Sequence, residues 1–284
     1  MNVSPTASDY AALPPAEGTN RDKSPVTAVV RTSTVGVRID VAASLSDYVR
    51  QMPIGSRARA ESFIATFLNP YSALRVRHEQ SLSQLLDRFD LVMPDGIGLC
   101  VAVRHLHRRR AARVSFDSTS LAPIVFAAAC RYGSTIALVG GAPGVATRAA
   151  ERLRVTFPGI RIVATFDGYQ ECDLALRTLP SLAPDIVICG MGTGQQEMFL
   201  IELQERGWNG CGFTCGGYLD QLNEGFLYYP AWVDALNFRW AFRLFREPRR
   251  LWRRYMIDYP YFVLLVLQSL LMNFSGGASA RSRP

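Results

Sequence analysis

Histidine is nearly absent from this chain of 284 residues: only His78, His105 and His107 occur. That scarcity excludes a polyhistidine metal centre. The six cysteines, Cys100, Cys130, Cys172, Cys189, Cys211 and Cys215, include no Cys-x-x-Cys pair. Zinc-ribbon and thioredoxin-type sites therefore fail on spacing, and the cysteines read as reduced and mostly buried, as in a cytosolic chain. The first 25 residues lack an apolar core, so no secretory signal is expected; rich in Pro, Ser, Ala and Thr, they read as a disordered tail. There is no fixed-period repeat, no nucleic-acid-binding motif and no Gly-x-Gly-x-x-Gly dinucleotide fingerprint. The longest apolar run, Tyr259–Phe274, is about sixteen residues, with Asp258 before it. A spanning helix needs ~20, so an interfacial or docking helix is expected there.

What is present begins with composition. Hydrophobic residues make up 49% and charged residues 19%, which permits a sizeable packed core and excludes global disorder. The net charge of +7 is unevenly placed. Residues 239–254 hold Arg239, Arg243, Arg246, Arg249, Arg250, Arg253 and Arg254 against one acid, Glu247. A second basic cluster is Arg104, Arg108, Arg109, Arg110 and Arg113. Such patches suit an anionic partner, either phosphate or lipid. Nucleic acid ranks lower, because the interleaved residues are apolar rather than a stacking platform.

Between about Gly36 and Pro248 short apolar runs alternate with amphipathic stretches. Strands are expected at Ala60–Thr66, Leu91–Pro94, Thr135–Gly140, Ile160–Thr165, Asp185–Cys189 and Gly212–Cys215. Helices are expected at Leu82–Phe89, Ser120–Arg131, Ala146–Phe157, Cys172–Leu182 and Gln195–Arg206. The strand runs are β-branched with little alternation, as in strands buried on both faces. Their alternation with helices predicts an α/β fold, a Rossmann-like, mostly parallel sheet covered by helices, with a C-terminal helical appendage. The expected division is a tail at 1–35, a catalytic domain at 36–231, a basic and apolar appendage at 232–275 and a tail at 276–284.

Glycines follow several strands: Gly96 and Gly98, Gly140-Gly141 with Gly144, Gly190 with Gly192 and Gly194, and Gly216-Gly217. Ligands of open α/β sheets sit outside the carboxyl ends of the strands, where glycine lets backbone N–H groups approach a phosphate. Asp95 follows such a strand. It is either a turn or N-cap carboxylate or a general base facing a cleft. Asn69, before Pro70, is either a turn or a site residue. Gln196 and Glu197 close the loop Gly190–Glu197 at a helix start, where they are either exposed cap residues or ligand contacts.

The strings MPDGIG, RVSFDS, PDIVICGMGTGQQE, GGYLDQLNEG and PAWVDALNFRWAFRLFREPRRLWRRY, in this order over roughly 60–260, resemble the WecG/TagA/CpsF glycosyltransferase family. The resemblance implies an inverting hexosyltransferase that moves a sugar from a UDP donor onto a polyprenyl-diphosphate-linked saccharide in envelope or exopolysaccharide synthesis. It also implies a peripheral position on the cytoplasmic face of the inner membrane and no metal or other cofactor. Residue by residue, Asp95 matches the proposed base and Asn69 an active-site Asn. Arg113 and Asp117 match an Arg–Asp pair, and Gly192 and Gln196 a glycine-rich substrate loop. The C-terminal arginines match an appendage that closes over the donor diphosphate, with Arg239, Arg243 and Arg246 as the foremost candidates. The sequence departs from the pattern at Gly194-Gln195 (usually Pro-Lys), at Phe116 (usually Gly), at Ser118 (usually Leu) and at Phe67 (usually Thr, with Thr66 one earlier). These departures bear on the donor, for which a glucose type is favoured over N-acetylmannosamine. The expected partners are the UDP-sugar, the lipid-linked acceptor and an anionic membrane surface, with homo-oligomerisation left open. The rival reading is a non-catalytic nucleotide-binding or scaffold protein of a polysaccharide assembly complex.

Overall fold

The computed structural model describes residues 29–55, 61–226, 228, 233, 239–246 and 248–279. A hairpin comes first: β1 (Val30–Thr34) and β2 (Val37–Val41), antiparallel, joined by Val35 and Gly36. Both turn residues have positive φ, 49° and 81°, the conformation whose twist matches that of the flanking strands. This corrects the reading of residues 1–35 as tail. The segment VRTST alternates toward a buried face, so Val30–Thr34 has a partner and is ordered. Residues 1–28 lie outside the described residues.

The remaining elements are α1 (Leu45–Val49), β3 (Phe63–Leu68), α2 (Pro70–His78), α3 (Gln80–Asp87), β4 (Leu91–Pro94), α4 (Ile97–His107) and α5 (Leu121–Tyr132). They continue with β5 (Thr135–Gly140), α6 (Val145–Thr156), β6 (Arg161–Phe166), α7 (Cys172–Leu182), β7 (Ile186–Gly190), α8 (Gln195–Glu205), β8 (Cys211–Thr214) and α9 (Tyr218–Glu224). Six strands form one parallel sheet in the order β4-β3-β8-β7-β5-β6. The expected fold class holds, and most expected strands agree within a residue; the first begins at Phe63 rather than Ala60. Helices α1, α2, α4 and α9 and the hairpin were not anticipated.

Apolar residues fill both faces of the sheet. One core joins the strands to α1, α5, α6 and α9; the other joins them to the hairpin, α2, α3, α4, α7 and α8. The central neighbours β3 and β8 send their following helices, α2 and α9, to opposite faces, which opens a crevice at their carboxyl ends. At the opposite edge, carboxylates staple strands: Asp90 accepts from the Ile64 amide at 2.7 Å and Asp185 from the Thr135 amide at 2.7 Å. Edge strand β4 is covered by the hairpin, where buried Asp40 accepts from the Val92 amide at 2.9 Å and pairs with Arg38 at 2.7 Å. One amide of the otherwise open backbone edge is thereby satisfied.

The appendage comprises α10 (Arg239–Arg246), α11 (Pro248–Arg253), a π-helical segment Arg254–Asp258 and α12 (Tyr259–Ser279). Pro248 starts a second helix, where its missing N–H costs nothing. The arginines at 239, 243, 246, 250 and 253 step by 4, 3, 4 and 3, but that break divides them between two helices. The apolar segment also needs correction. Helix α12 has 21 residues and runs into the supposed tail as far as Ser279. The stretch Leu251–Met272 is long and apolar enough to cross a membrane, by length and composition. Phe262 and Leu265 are nevertheless buried in the second core, with α12 packed on α2 and α4, while Val263, Leu264, Leu267, Leu271 and Met272 are exposed.

Candidate functional site

The carboxyl ends of all six parallel strands open into one cavity of about 1560 Å³. Its floor is a seam of glycines. A Cβ on Gly140 would lie 2.2 Å from the Gly190 carbonyl oxygen, and one on Gly190 would lie 2.5 Å from that of Gly216. The loops after β5, β7 and β8 therefore touch backbone to backbone, a closeness no side chain permits. Gly141 donates to the Gly190 carbonyl at 3.1 Å, and Gly168 donates to that of Gly141 at 2.8 Å.

Asp95 leaves β4 at the rim of this floor, fixed by its amide donating to the Leu68 carbonyl at 2.7 Å. It is not a cap: Gly96 is the N-cap of α4, and no side chain caps that helix. Its carboxylate lines the cavity, 3.9 Å from the Arg113 guanidinium. Burial pushes its pKa above the ordinary carboxylate value, Arg113 opposes that, Asp117 adds to it, and Arg254 and Arg243 oppose it again. The result is a carboxylate basic enough to take a proton, with cations close by.

Arg113 is held for this position. It donates to Asp117 at 3.0 Å and to the Ser115 hydroxyl at 2.8 Å, and that hydroxyl donates to Asp117 at 2.6 Å. Asp117 also accepts from the Thr119 amide and hydroxyl, so its role is to orient Arg113. Asn69 lines the cavity but is a true N-cap. Its side-chain oxygen accepts from the Ser72 amide at 3.1 Å, which leaves its amide nitrogen for a ligand.

Gln196 also lines the cavity, but both ends of its amide are engaged. Its nitrogen donates to Glu197 at 2.9 Å, and its oxygen accepts from the Gly216 amide at 3.1 Å. The pair, read as either exposed cap residues or ligand contacts, is buried, at 4% and 2% exposure. Glu197 accepts from the Gly194 amide at 2.6 Å and from Thr66 at 2.8 Å, and Thr66 meets Thr214 at 2.8 Å. This network ties β3, β8 and the glycine loop together. Glu197 stood in a quoted string and Thr66 was named as a displaced threonine, but their burial had no sequence signal. Gly192, with φ 82°, has open space where a Cβ would point and lies on the cavity wall.

The appendage roofs the cavity with Arg243, Leu251, Arg253, Arg254, Tyr255, Asp258 and Tyr259. Of the three anticipated arginines, Arg243 is there. Arg246 turns away to pair with Glu224 and lies 5.4 Å over the Tyr228 ring. The side chain of Arg239 lies outside the described residues. Arg253 and Arg254, counted in the basic run but not singled out, take the places at the roof. Arg254 sits 4.9 Å over the Tyr71 ring and has a buried Nε without an acceptor. Burial pushes the Tyr259 phenol up to about 12, so it remains a neutral donor. Arg108, Arg109 and Arg110 do not line the cavity. Among the described residues no cluster of His, Cys, Asp or Glu could hold a metal ion.

A carboxylate over a glycine floor, facing arginines from a helical roof, suits transfer of a group carried on phosphate. Comparison with known proteins agrees. A Shigella boydii protein named UDP-Gal:alpha-D-GlcNAc-diphosphoundecaprenol beta-1,4-galactosyltransferase is 30% identical over 215 residues, 74% of this chain and 87% of that protein. A Bacillus subtilis (strain 168) protein named N-acetylglucosaminyldiphosphoundecaprenol N-acetyl-beta-D-mannosaminyltransferase is 25% identical over 226 residues, 79% of this chain and 86% of that protein. The profile of the glycosyl transferase WecG/TagA/CpsF family matches residues 32–275, and the chain belongs to that family.

Proposed function

We propose that this glycosyltransferase moves a hexose from a UDP-sugar onto a polyprenyl-diphosphate-linked saccharide, with inversion, at the cytoplasmic surface of a bacterial inner membrane. One observation carries the reading: Asp95 and the arginines Arg113, Arg243, Arg253 and Arg254 line a single cavity. At about 1560 Å³ that cavity exceeds the ~300–1,000 Å³ of a one-ligand site and has room for a donor and an acceptor head together. The Asp95 carboxylate takes the proton of an acceptor hydroxyl. The hydroxyl oxygen forms the new bond to the sugar's anomeric carbon as the bond from that carbon to the UDP β-phosphate oxygen breaks. The electron pair leaves with UDP, whose added negative charge is met by the roof arginines and floor amides. Both relatives are named for β-linked products, as expected when an α-linked UDP-sugar is attacked from the opposite side. The donor we favour is an unmodified hexose, glucose or galactose. The relative at 30% identity, named for UDP-Gal, supports that over N-acetylmannosamine. In this reading the catalytic domain begins with the hairpin at Val30 and runs to about residue 231, and residues 232–279 supply both the roof and the membrane contact.

The test is UDP release from UDP-glucose, UDP-galactose, UDP-N-acetylglucosamine and UDP-N-acetylmannosamine, each with and without a synthetic N-acetylglucosaminyl-diphospholipid. Acceptor-dependent release from one hexose donor, with a β-linked product by NMR, is expected. No release from any donor refutes the enzymatic reading and leaves the scaffold alternative.

A further inference from the structure

Apart from Arg113, the second basic cluster of the sequence is not used by the cavity. It sits at the end of α4, a helix that leads away from Asp95. Residues 96–116 contain no acid. Among the described residues the only ion pairs of this segment are those of Arg113 with Asp95 and Asp117. Arg104, Arg108, Arg109 and Arg110 are exposed. Four cations within seven residues repel one another unless an anionic surface neutralises them. The same helix exposes two large apolar side chains, Ile97 at 53% and Val101 at 44%. Positions 97, 101 and 104 are spaced by 4 and 3, so they form one stripe on α4, apolar near the cavity and basic at the far end, where Arg108, Arg109 and Arg110 follow the helix.

Helix α12 runs beside this stripe. Ile97 of α4 and Tyr259 of α12 both line the catalytic cavity. Nine residues later, Leu106 of α4 and Gln268 of α12 both line a second cavity, of about 390 Å³. Each helix covers roughly 14 Å between the same two places, so the two lie side by side and point the same way. Beyond its buried Phe262 and Leu265, α12 exposes Val263, Leu264, Leu267, Leu271 and Met272.

We infer that α4 is a second membrane-contacting element: its Ile97–Val101 face and its Arg104, Arg108, Arg109 and Arg110 rest on an anionic phospholipid bilayer together with α12. The partner follows from the chemistry. An apolar helix face flanked by unpaired arginines suits an interface of acyl chains below and phosphates above. An acidic protein would satisfy the arginines but not the apolar α12 beside them. The bilayer would then lie along both α4 and α12, with Asp95 just before the end of α4 nearer the cavity. The inference rests on the reading of α12 as a bilayer-surface helix.

The test uses the full chain with vesicles of phosphatidylglycerol and phosphatidylcholine. The variant Arg108→Gln/Arg109→Gln/Arg110→Gln is compared with Arg148→Gln/Arg152→Gln/Arg177→Gln, which removes the same charge from exposed sites on α6 and α7. Attraction of about 1 kcal/mol per basic residue, lost at three residues, predicts partition onto phosphatidylglycerol vesicles on the order of 100-fold weaker for the first variant. The second should bind within about twofold of the unmodified chain. UDP release with a soluble acceptor analogue should be unchanged in both, which shows that both fold. Bound vesicles should also slow tryptic cleavage at Arg108–Arg110 in the unmodified chain. If the unmodified chain binds vesicles and the first variant binds equally well, the role of α4 is overturned while that of α12 stands. If the unmodified chain does not bind vesicles, both fall.

Discussion

At Asp95, burial and positive neighbours act in opposite directions on one carboxylate, and burial is the larger effect. Two consequences follow. As a base Asp95 works deprotonated, so kcat/KM should rise with pH through its elevated pKa. Removing a cation that holds the pKa down, by Arg254→Ala, should move that rise to higher pH and lower kcat. Arg246→Ala, whose side chain faces Glu224, should leave turnover near normal. For stability the sign is opposite. The folded chain binds this proton more tightly than the unfolded chain, so the contribution is full below the ordinary carboxylate pKa and is lost as pH rises through the raised one. Asp95→Asn should therefore raise Tm at neutral pH while lowering kcat by ~10²–10⁴, with donor affinity largely kept. An unchanged kcat would remove Asp95 from the mechanism. Two departures from the family pattern also meet as residues: Phe67 and Phe116 pack edge-to-face with ring centroids 6.2 Å apart. A double-mutant cycle of Phe67→Leu and Phe116→Leu, read by denaturant unfolding, should show coupling of ~0.5–1.5 kcal/mol. Additive losses would show the two substitutions to be independent.

Among elements, the buried strands were the most legible, because β-branched runs ended by glycine admit few alternatives. The hairpin was missed because half-exposed VRTST looks polar beside core strands and adjoins a tail-like stretch. Helix α2 was missed because Asn69-Pro70 signals a turn as readily as a cap followed by a first-turn proline, and α4 because a glycine-rich start conceals its period. In the site, strand-end position identified Asp95 and Gly192. It could not show that the Gln196 amide is consumed inside the fold, since its acceptor and donor lie one residue and twenty residues away. The hairpin that was missed also carries a prediction. Asp40→Ala would leave Arg38 and the Val92 amide without their shared acceptor at a buried edge. A loss of ~3–5 kcal/mol in urea unfolding is expected; a loss under 1 kcal/mol would mean that the edge has another partner. The roof revises what truncation does. Removing everything from Trp232 onward takes away Arg243, Arg253 and Arg254 and uncovers the surface beneath Phe262 and Leu265. Activity should vanish even on a soluble acceptor, where loss of an anchor alone would spare it.

For the molecule as a whole, the proposed function assigns leaving-group charge and membrane position to one cation type. The described residues contain arginine but no lysine, since Lys23 lies before them. Guanidinium forks bind diphosphate oxygens two at a time, so excess EDTA should leave UDP release intact. Loss of activity that Mg²⁺ or Mn²⁺ restores would show that the arginines do not suffice. The exposed apolar side of α12 has a further effect, on kinetics. A chain resting on that side draws its donor from a volume but meets its acceptor on a sheet. The acceptor's effective concentration is then its mole fraction among the lipids, not its amount per litre. Adding inert lipid at constant total acceptor should slow the reaction, as molecules searching a plane are spread farther apart, although the bulk concentration of every reactant is unchanged.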